Sequence, residues 1–422
     1  MKRVLSSLVP FSLKTAVYDR LNQAKLDRLL RTKNDFRAAR RRGVARSANV
    51  PEGINLVGYI RADMGLGTAA RGLAAALDNA SVPFNVINME HGNCSSHTND
   101  SWSHKETSRS DYDVTVVCVN PDNSFYLRTL VSPEILGNRY VVANWYWELP
   151  EMPDEWLKEF EYVDEVWAPS NFIREAISGK ARVPVIRVPT VVQLSPGHKF
   201  SRAELGLPEQ RFLFLGMFDT RSVLERKNPL GVVRAFKRAF EAEDHRVGLV
   251  MKFNNPDYEQ PVLGQMQEEL AGYENVFVID RLLRRDELTS LIDACDCFVS
   301  LHRSEGFGLG PAEAMSLGKP AIITNWSGNT DYMTSDNCVP IDYELVDLKQ
   351  DYGPYKADQH WAEPDIEQAA HWMKKLVAEP ALGKEIGLRG QQTIRTEFSA
   401  QTVGKIISAR LHEIRNAQQT RS

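Results

Sequence analysis

Residues 212–253 read FLFLGMFDTRSVLERKNPLGVVRAFKRAFEAEDHRVGLVMKF. The run Phe212–Phe218 is short and apolar, as a strand buried on both faces requires. From Pro229 to Glu241 the apolar residues Leu230, Val233, Phe236, Ala239 and Phe240 recur at helical spacing, and Pro229 suits a first helical turn. Val247–Phe253 is a second apolar run. Strand, helix, strand is the repeating unit of a parallel sheet covered by helices.

The same alternation extends both ways. Toward the C-terminus lie the expected strands Val276–Ile279, Cys297–Leu301, Ala321–Thr324 and Val339–Ile341, a helix at Ala312–Leu317, and helix from about Pro364 onward. Toward the N-terminus lie Ile54–Ile60, Phe84–Asn88, Val114–Val119, Tyr140–Ala143, Glu165–Ala168 and Val185–Val188. A stretch with Pro, Gly and Ser, Thr190 to Lys199, separates the two series. We therefore expect two α/β domains, at 51–200 and 201–395, with a C-terminal helix at 396–422 and an N-terminal arm at 1–50. A length of 422 residues suits two to three domains. With 43% hydrophobic and 25% charged residues, disordered, collagenous and disulfide-scaffold classes are excluded.

The net charge of −4 hides an asymmetry. Residues 1–50 hold thirteen Lys or Arg against Asp19, Asp27 and Asp35, a balance of +10, which leaves −14 for the remainder. Within the arm, Leu13, Val17, Leu21 and Ala24 recur at helical spacing among Lys14, Arg20, Lys25, Arg28 and Arg31. That pattern fits an interfacial helix on anionic lipid, involving residues 1–46, and fits a solvated tail equally well. No stacking or groove-reading motif accompanies the charge, so no nucleic-acid partner is expected. Five cysteines without a CxxC pair make a poor disulfide framework and point to a reducing compartment. No apolar run approaches the length of a membrane span, and serines and Pro10 interrupt the signal-like start. The expected location is the cytoplasm, peripheral on the inner face of the membrane if the arm is the interfacial helix and free of it if the arm is a solvated tail.

In parallel sheets chemistry belongs to the loops beyond the carboxyl ends of the strands. After the first strand, Gly65 and Gly67 open a helix expected at Thr68–Asn79. Glycines there permit close backbone approach, and a helix start favours an anion. Gly65-x-Gly67-x-x-Ala70 with Glu90 is also a weak dinucleotide fingerprint, its glycines standing too far from the strand. After Phe212–Phe218, Arg221 and Lys227 are free to converge on a phosphate, or to be surface charges of a solvated loop. After Cys297–Leu301, Glu305-Gly-Phe-Gly308-Leu-Gly310-Pro-Ala-Glu313 brings two carboxylates to one end of the cleft, with Pro311 expected at the first position of a helix. Carboxylates accept hydrogen bonds from vicinal sugar hydroxyls, and free amides between them hold phosphate. His302 either faces this site or packs at the strand end. His91, Cys94, His97 and His104 are irregularly spaced, and no metal site is expected.

The run from Ser304 through Glu305 to Glu313, an E-x7-E motif, and on through Lys319-Pro320-Ala-Ile-Ile-Thr324 to Ser327-Gly328-Asn329, resembles the donor site of retaining glycosyltransferases of family 4. Arg221 and Lys227, six apart, resemble that family's diphosphate-binding pair, and the likeness covers roughly residues 54–395. It implies the GT-B fold: two Rossmann-like, doubly wound α/β domains facing a cleft, here with a basic helical N-terminal arm and C-terminal helices. It further implies a nucleotide-diphosphate sugar donor, a glycan or lipid-linked acceptor, and no cofactor or metal. By this likeness Arg221 and Lys227 neutralise the departing diphosphate, and Gly65 and Gly67 close over it. Glu313 holds the ribose, and Glu305 with Gly306 and the amides of Phe307, Gly308 and Leu309 holds the sugar. Where many relatives carry a His, this chain reads Asn144-Trp-Tyr-Trp147-Glu148-Leu-Pro150. Either Glu148 and the aromatic residues contact the sugar or acceptor in its place, or the Trp residues pack core and Glu148 caps the next turn. A silent sugar-nucleotide-binding protein, a nucleotide-sugar epimerase and an NAD-dependent oxidoreductase are the alternative functions. Tyr352–Asp365, aromatic and polar, is expected only to flank the donor side.

Overall fold

The computed structural model describes residues 50–420 apart from 94, 125, 128–132, 138, 195–196 and 256–260. The basic arm with its expected interfacial helix, and Cys94, lie outside the described residues.

Six short runs build a first sheet: β1 (Ile54–Gly58), β2 (Phe84–Asn88), β3 (Val114–Cys118), β4 (Tyr140–Asn144), β5 (Glu165–Ala168) and β6 (Val185–Arg187). They pair in parallel in the order β2-β1-β3-β4-β5-β6. Six more build a second parallel sheet: β7 (Phe212–Asp219), β8 (Val247–Asn254), β9 (Val276–Ile279), β10 (Cys297–Ser300), β11 (Ala321–Thr324) and β12 (Val339–Ile341), ordered β12-β11-β10-β7-β8-β9. These are the apolar runs of the sequence, each end within two residues of expectation. Helices cover the sheets, so the central strands are buried on both faces and lack polar alternation.

The helices are α1 (Gly65–Asn79), α2 (Asn171–Ser178), α3 (Pro229–Ala239), α4 (Pro261–Leu270), α5 (Arg285–Ala294), α6 (Leu309–Ser316), α7 (Ile366–Ala378), α8 (Pro380–Glu397) and α9 (Ala400–Gln419), with single helical turns at Pro133–Leu136 and Leu224–Lys227. Three differ from expectation. α1 starts at Gly65, so Gly65 and Gly67 belong to its first turn and not to a loop before Thr68. α6 starts at Leu309 because Gly308, at φ 80°, takes the left-handed conformation just before it. Pro311 is therefore its third residue, still within the turn whose N–H groups need no helical acceptor. α3 stops at Ala239, since Phe240 turns extended to enter the core.

The last helix returns to the first sheet. Val403, Ile407 and Leu411 of α9 join the core of Ile54, Leu56, Leu73 and Leu77. A Cβ on Gly404 would meet the Ala76 carbonyl at 2.5 Å, so α9 lies close on α1. Arg410 Nε and Nη2 donate to Glu165 at 2.9 and 2.6 Å, and Arg415 donates to Asp113 at 3.1 and 3.2 Å. Glu165 is fully buried on β5 and also accepts from Tyr140 and Trp167, which satisfies a charge that would otherwise be costly.

One element was not expected at all. An antiparallel ribbon, β13 (Tyr343–Asp347) and β14 (His360–Pro364), follows β12. Its strands are short, one ends in proline, and twelve residues separate them, so neither pattern nor turn chemistry marks it as a hairpin. A lone two-stranded ribbon is marginal in water. Here Leu348, Tyr355 and Trp361 are buried with Trp145, Trp147 and Trp156 of the first half, so the core continues across both halves.

Candidate functional site

Each sheet reverses its strand order at one place: β1 lies beside β3 in the first, β7 beside β10 in the second. The crevice beyond the strand ends at such a switch point is where open α/β sheets bind ligands. The loops leaving β1, β7 and β10 are those carrying Gly65 and Gly67, Arg221 and Lys227, and His302 and Glu305.

At the second switch point Glu305 meets two cations. Lys227 Nζ donates to Oε1 at 2.5 Å, and Arg226 Nη1 lies 3.4 Å from Oε2. Arg226 also donates to the Ser304 carbonyl at 2.6 Å, while its Nε is buried without a hydrogen-bond partner. Burial works to raise the Glu305 carboxyl, but Lys227 and Arg226 outweigh it and hold the group down at about 2. Sequence reasoning passed over Arg226 and paired Lys227 with Arg221. Arg221 instead sits exposed on the loop after β7, its N–H bonded to Asp219 Oδ1 at 2.9 Å. The helical turn Leu224–Lys227 is what carries two consecutive cations to one carboxylate, and the adjacent Arg-Lys pair was its only trace in the sequence.

His302 lies behind the β10 loop, close enough to Glu305, Lys227 and Arg226 to feel their charges. It is buried, with Ser300 Oγ donating to Nδ1 and Nε2–H donating to Asn329 Oδ1, each at 2.9 Å. Asn329 Nδ2 donates to Thr324 O, which leaves its Oδ1 as the acceptor and sets the tautomer. Burial pushes the imidazole down to about 4, so it is neutral near pH 7. His302 thus fixes the turn Ser327–Asn329, and Ser327 Oγ in turn accepts the N–H of Glu305 at 2.9 Å. A Cβ on Gly328 would stand 1.8 Å from the Gly306 carbonyl, and one on Gly306 would stand 2.9 Å from the Trp147 carbonyl. Both glycines are required by backbone packed on backbone. Phe307 is buried against Tyr332 and Phe398, so this segment presents amides and not its ring.

Glu313 lies on α6, nearly buried, in an ion pair with Arg285 of α5. Glu313 is the main reason the Arg285 guanidinium is raised. Across from α6 the start of α1 has no side-chain cap. Gly65 has open space where a Cβ would be, whereas a Cβ on Gly67 would meet the Ala62 carbonyl at 2.1 Å. Gly67 is needed for the turn itself. Arg71 of α1, unnoticed in the sequence, ties that turn by donating to the carbonyls of Ile60 and Ala62 at 2.8 and 2.9 Å.

The loop after β4 meets the β10 loop directly. Ser304 Oγ donates to the Glu148 carbonyl, and Tyr355 Oη donates to Glu148 Oε2 at 2.9 Å. Trp145 and Trp147 are core residues packed on Trp156. The two sequence readings divide: the tryptophans pack, and the Glu148 carboxylate points to the second half of the chain. Further ties join the halves. Ser170 Oγ donates to the Gly306 carbonyl at 2.7 Å, and Asp331 accepts from Asn171 N and from Arg187 Nε. A separate cavity of about 310 Å3, bounded by Asn228, Arg303, Tyr352, Trp361 and Glu363, includes neither Lys227, Glu305 nor Glu313 in its lining. Among the described residues no group of three or more His, Cys, Asp or Glu is placed to hold a metal ion, and no helix is long and apolar enough to cross a membrane.

Residues 199–340 match the family model of glycosyl transferases group 1. The chain is 27% identical over 208 residues to the lipopolysaccharide core biosynthesis glycosyltransferase LpsD of Rhizobium meliloti, covering 49% of this chain and 51% of LpsD. It is 26% identical over 128 residues to the alpha-1,3/1,6-mannosyltransferase ALG2 of Dictyostelium discoideum, covering 30% of this chain and 26% of ALG2. The alignment thus spans about half of the one relative and a quarter of the other. The crystal structure of Anabaena Alr3699/HepE in complex with UDP and glucose superposes with a TM-score of 0.62 at 13% identity, covering 86% of this chain and all of that one. Two facing Rossmann-like parallel sheets with a helical C-terminus are the GT-B fold, and the chain adopts it.

Proposed function

We propose that the chain is a metal-independent, retaining glycosyltransferase of family 4. It moves a hexose or deoxyhexose from a nucleoside-diphosphate sugar to a hydroxyl of a glycan or lipid-linked acceptor. One observation carries this reading: Lys227 and Arg226 meet Glu305 at the switch point of the second sheet. Cations and a sugar-binding carboxylate are thereby side by side, as a reaction expelling a diphosphate requires. The glycosyltransferase relatives, and the UDP and glucose held by HepE, support it.

In this reading Arg221 and Lys227 bind the diphosphate, assisted by the uncapped amides at Gly65–Gly67 of α1. Glu313 holds the ribose hydroxyls. Glu305 and the amides of Gly306–Leu309 hold the sugar, and Glu148 contacts the sugar or the acceptor from the other half. The bond from sugar C1 to the diphosphate oxygen breaks, and the acceptor oxygen bonds C1 on the same face. The acceptor proton passes to the released diphosphate. Charge growing on the leaving group meets cations already in place, which lowers the barrier without further reorganisation. The basic segment 1–46 would hold the enzyme peripherally at the cytoplasmic face of an anionic membrane, near a lipid-linked acceptor.

A panel of nucleoside-diphosphate sugars, tested by thermal shift and by transfer of radiolabelled sugar, decides the matter. Transfer with protection against heat supports the reading, and the absence of both overturns it. Binding without transfer favours a sugar-nucleotide-binding protein.

A further inference from the structure

The ribbon β13–β14 reaches from the second half of the chain into the first, and its connecting segment is built to deliver one side chain. Tyr352 N donates to the Tyr355 carbonyl at 2.8 Å and Tyr355 N to the Tyr352 carbonyl at 3.1 Å. Between them stand Gly353, at φ 60°, and Pro354. The result is a closed four-residue turn whose left-handed position suits glycine and whose proline restricts the alternatives. Gln359 Oε1 accepts the N–H of Glu151 at 3.2 Å, so the returning limb is also held by the first half.

Tyr355, at the end of this turn, is 6% exposed and lies between the two halves. Its ring is 5.3 Å from that of Trp147, and the Arg226 guanidinium stands 5.7 Å from its ring centroid. Its hydroxyl donates to Glu148 Oε2. Arg226 continues the chain of contacts to Ser304 and Glu305. A strap that served packing alone would need only the ring. A buried phenol placed on a carboxylate of the other half does something a phenylalanine does not: it fixes where that carboxylate points.

We propose that Tyr355 is a positioning residue for the transferred sugar. It orients Glu148 of the first half and supports Arg226, hence Glu305, in the second. The two carboxylates thereby grip hydroxyls of one neutral hexose from opposite sides while the ribbon is seated. The proposal rests on the glycosyl-transfer reading above. The nucleotide moiety, which that reading assigns to Arg221, Lys227 and Glu313, is bound without help from Tyr355.

The test uses the full chain as wild type, Tyr355→Phe, Glu148→Gln and the double variant. The probes are nucleoside diphosphate alone and the nucleoside-diphosphate sugar that gives transfer. Tyr355→Phe keeps the ring, so its fold is checked by an unchanged denaturation midpoint. We expect its Kd for the free diphosphate to stay within twofold of wild type while kcat/KM for the sugar donor falls tenfold or more. The double variant should be no slower than Glu148→Gln, because the hydroxyl acts only through the carboxylate that Glu148→Gln has already removed. Wild-type kcat and KM in Tyr355→Phe, or additive losses in the double variant, overturn the positioning role and leave glycosyl transfer standing. If Tyr355→Phe is unfolded, Glu148→Gln alone decides, since it leaves the tyrosine in place. Loss of kcat/KM with intact diphosphate affinity supports the role, and no loss overturns it. A wild-type chain that neither binds nor transfers any sugar of the panel overturns both readings.

Discussion

The Arg226 guanidinium lies 3.4 Å from the Glu305 carboxylate, in a position only 4% exposed, and its neighbour Lys227 holds the other oxygen of the same group. Two consecutive residues reach one carboxylate because the chain makes a single helical turn there and then reverses at Asn228, whose φ of 52° starts α3. Glu305 is thereby kept ionised inside the cleft, able to accept hydrogen bonds and never to donate one at neutral pH.

Removing Arg226 should cost more stability than removing Arg221. Arg226→Met leaves Glu305 with one cation and the Ser304 carbonyl without its donor, a loss of about 3 kcal/mol, at the low end for a broken buried pair. Arg221→Ala, on an exposed loop, should change stability by less than about 0.5 kcal/mol yet raise the KM for the sugar donor. Urea denaturation and donor kinetics on both variants separate the roles. Equal midpoints for the two would contradict this account.

Gly328→Ala should be strongly destabilising. The added Cβ falls 1.8 Å from the Gly306 carbonyl, which is backbone and is itself pressed on Trp147. Neither partner can move away without opening the contact between the halves, so a cost of about 3 kcal/mol or more is expected, with loss of donor binding. Gly65→Ala, which meets open space, should leave the melting temperature nearly unchanged.

His302 should make stability depend on pH below neutrality. Its folded pKa of about 4 lies below the ordinary 6.5, so the neutral form is favoured in the fold. As pH falls below about 6.5 the unfolded chain takes up the proton first. Stability is therefore complete above that pH and declines toward pH 4, by on the order of 3 kcal/mol. His302→Gln can still donate to Asn329 and cannot titrate. Its urea midpoint should fall less between pH 7.5 and 4.5 than that of wild type, and identical pH dependence would sink the assignment.

Arg410→Met should unfold the first half at lower temperature than the second. It strands Glu165, fully buried on β5, with only Tyr140 and Trp167 as partners, at a cost of about 3–5 kcal/mol. Glu165→Gln in the same chain should recover part of that loss, because it removes the uncompensated charge. Calorimetry showing no change in Arg410→Met would mean that α9 contributes through its apolar face alone.

Much of the architecture was legible locally. A strand buried on both faces needs a continuous apolar run, and short apolar-rich runs marked the twelve parallel strands within two residues at each end, the partly exposed edge strands β6 and β9 included. The glycines and acidic residues at 305–313 were legible as a candidate site because that spacing has no use in a plain helix. Arg226 was not, since its direction depends on how the turn Leu224–Lys227 lies against β10. Nor was the neighbourhood of His302, whose partners Ser300 and Asn329 come from two strand ends.

The order of apolar runs and the E-x7-E spacing were determined by the sequence itself, because periodicity and backbone restriction act over a few residues. Tertiary structure alone decided which cations meet Glu305, that α9 closes over the first sheet, and that Tyr355 sits on Glu148. These contacts join residues 78, 245 and 207 positions apart. Burial selects such partners only when the sheets are already packed, and no local pattern carries that information.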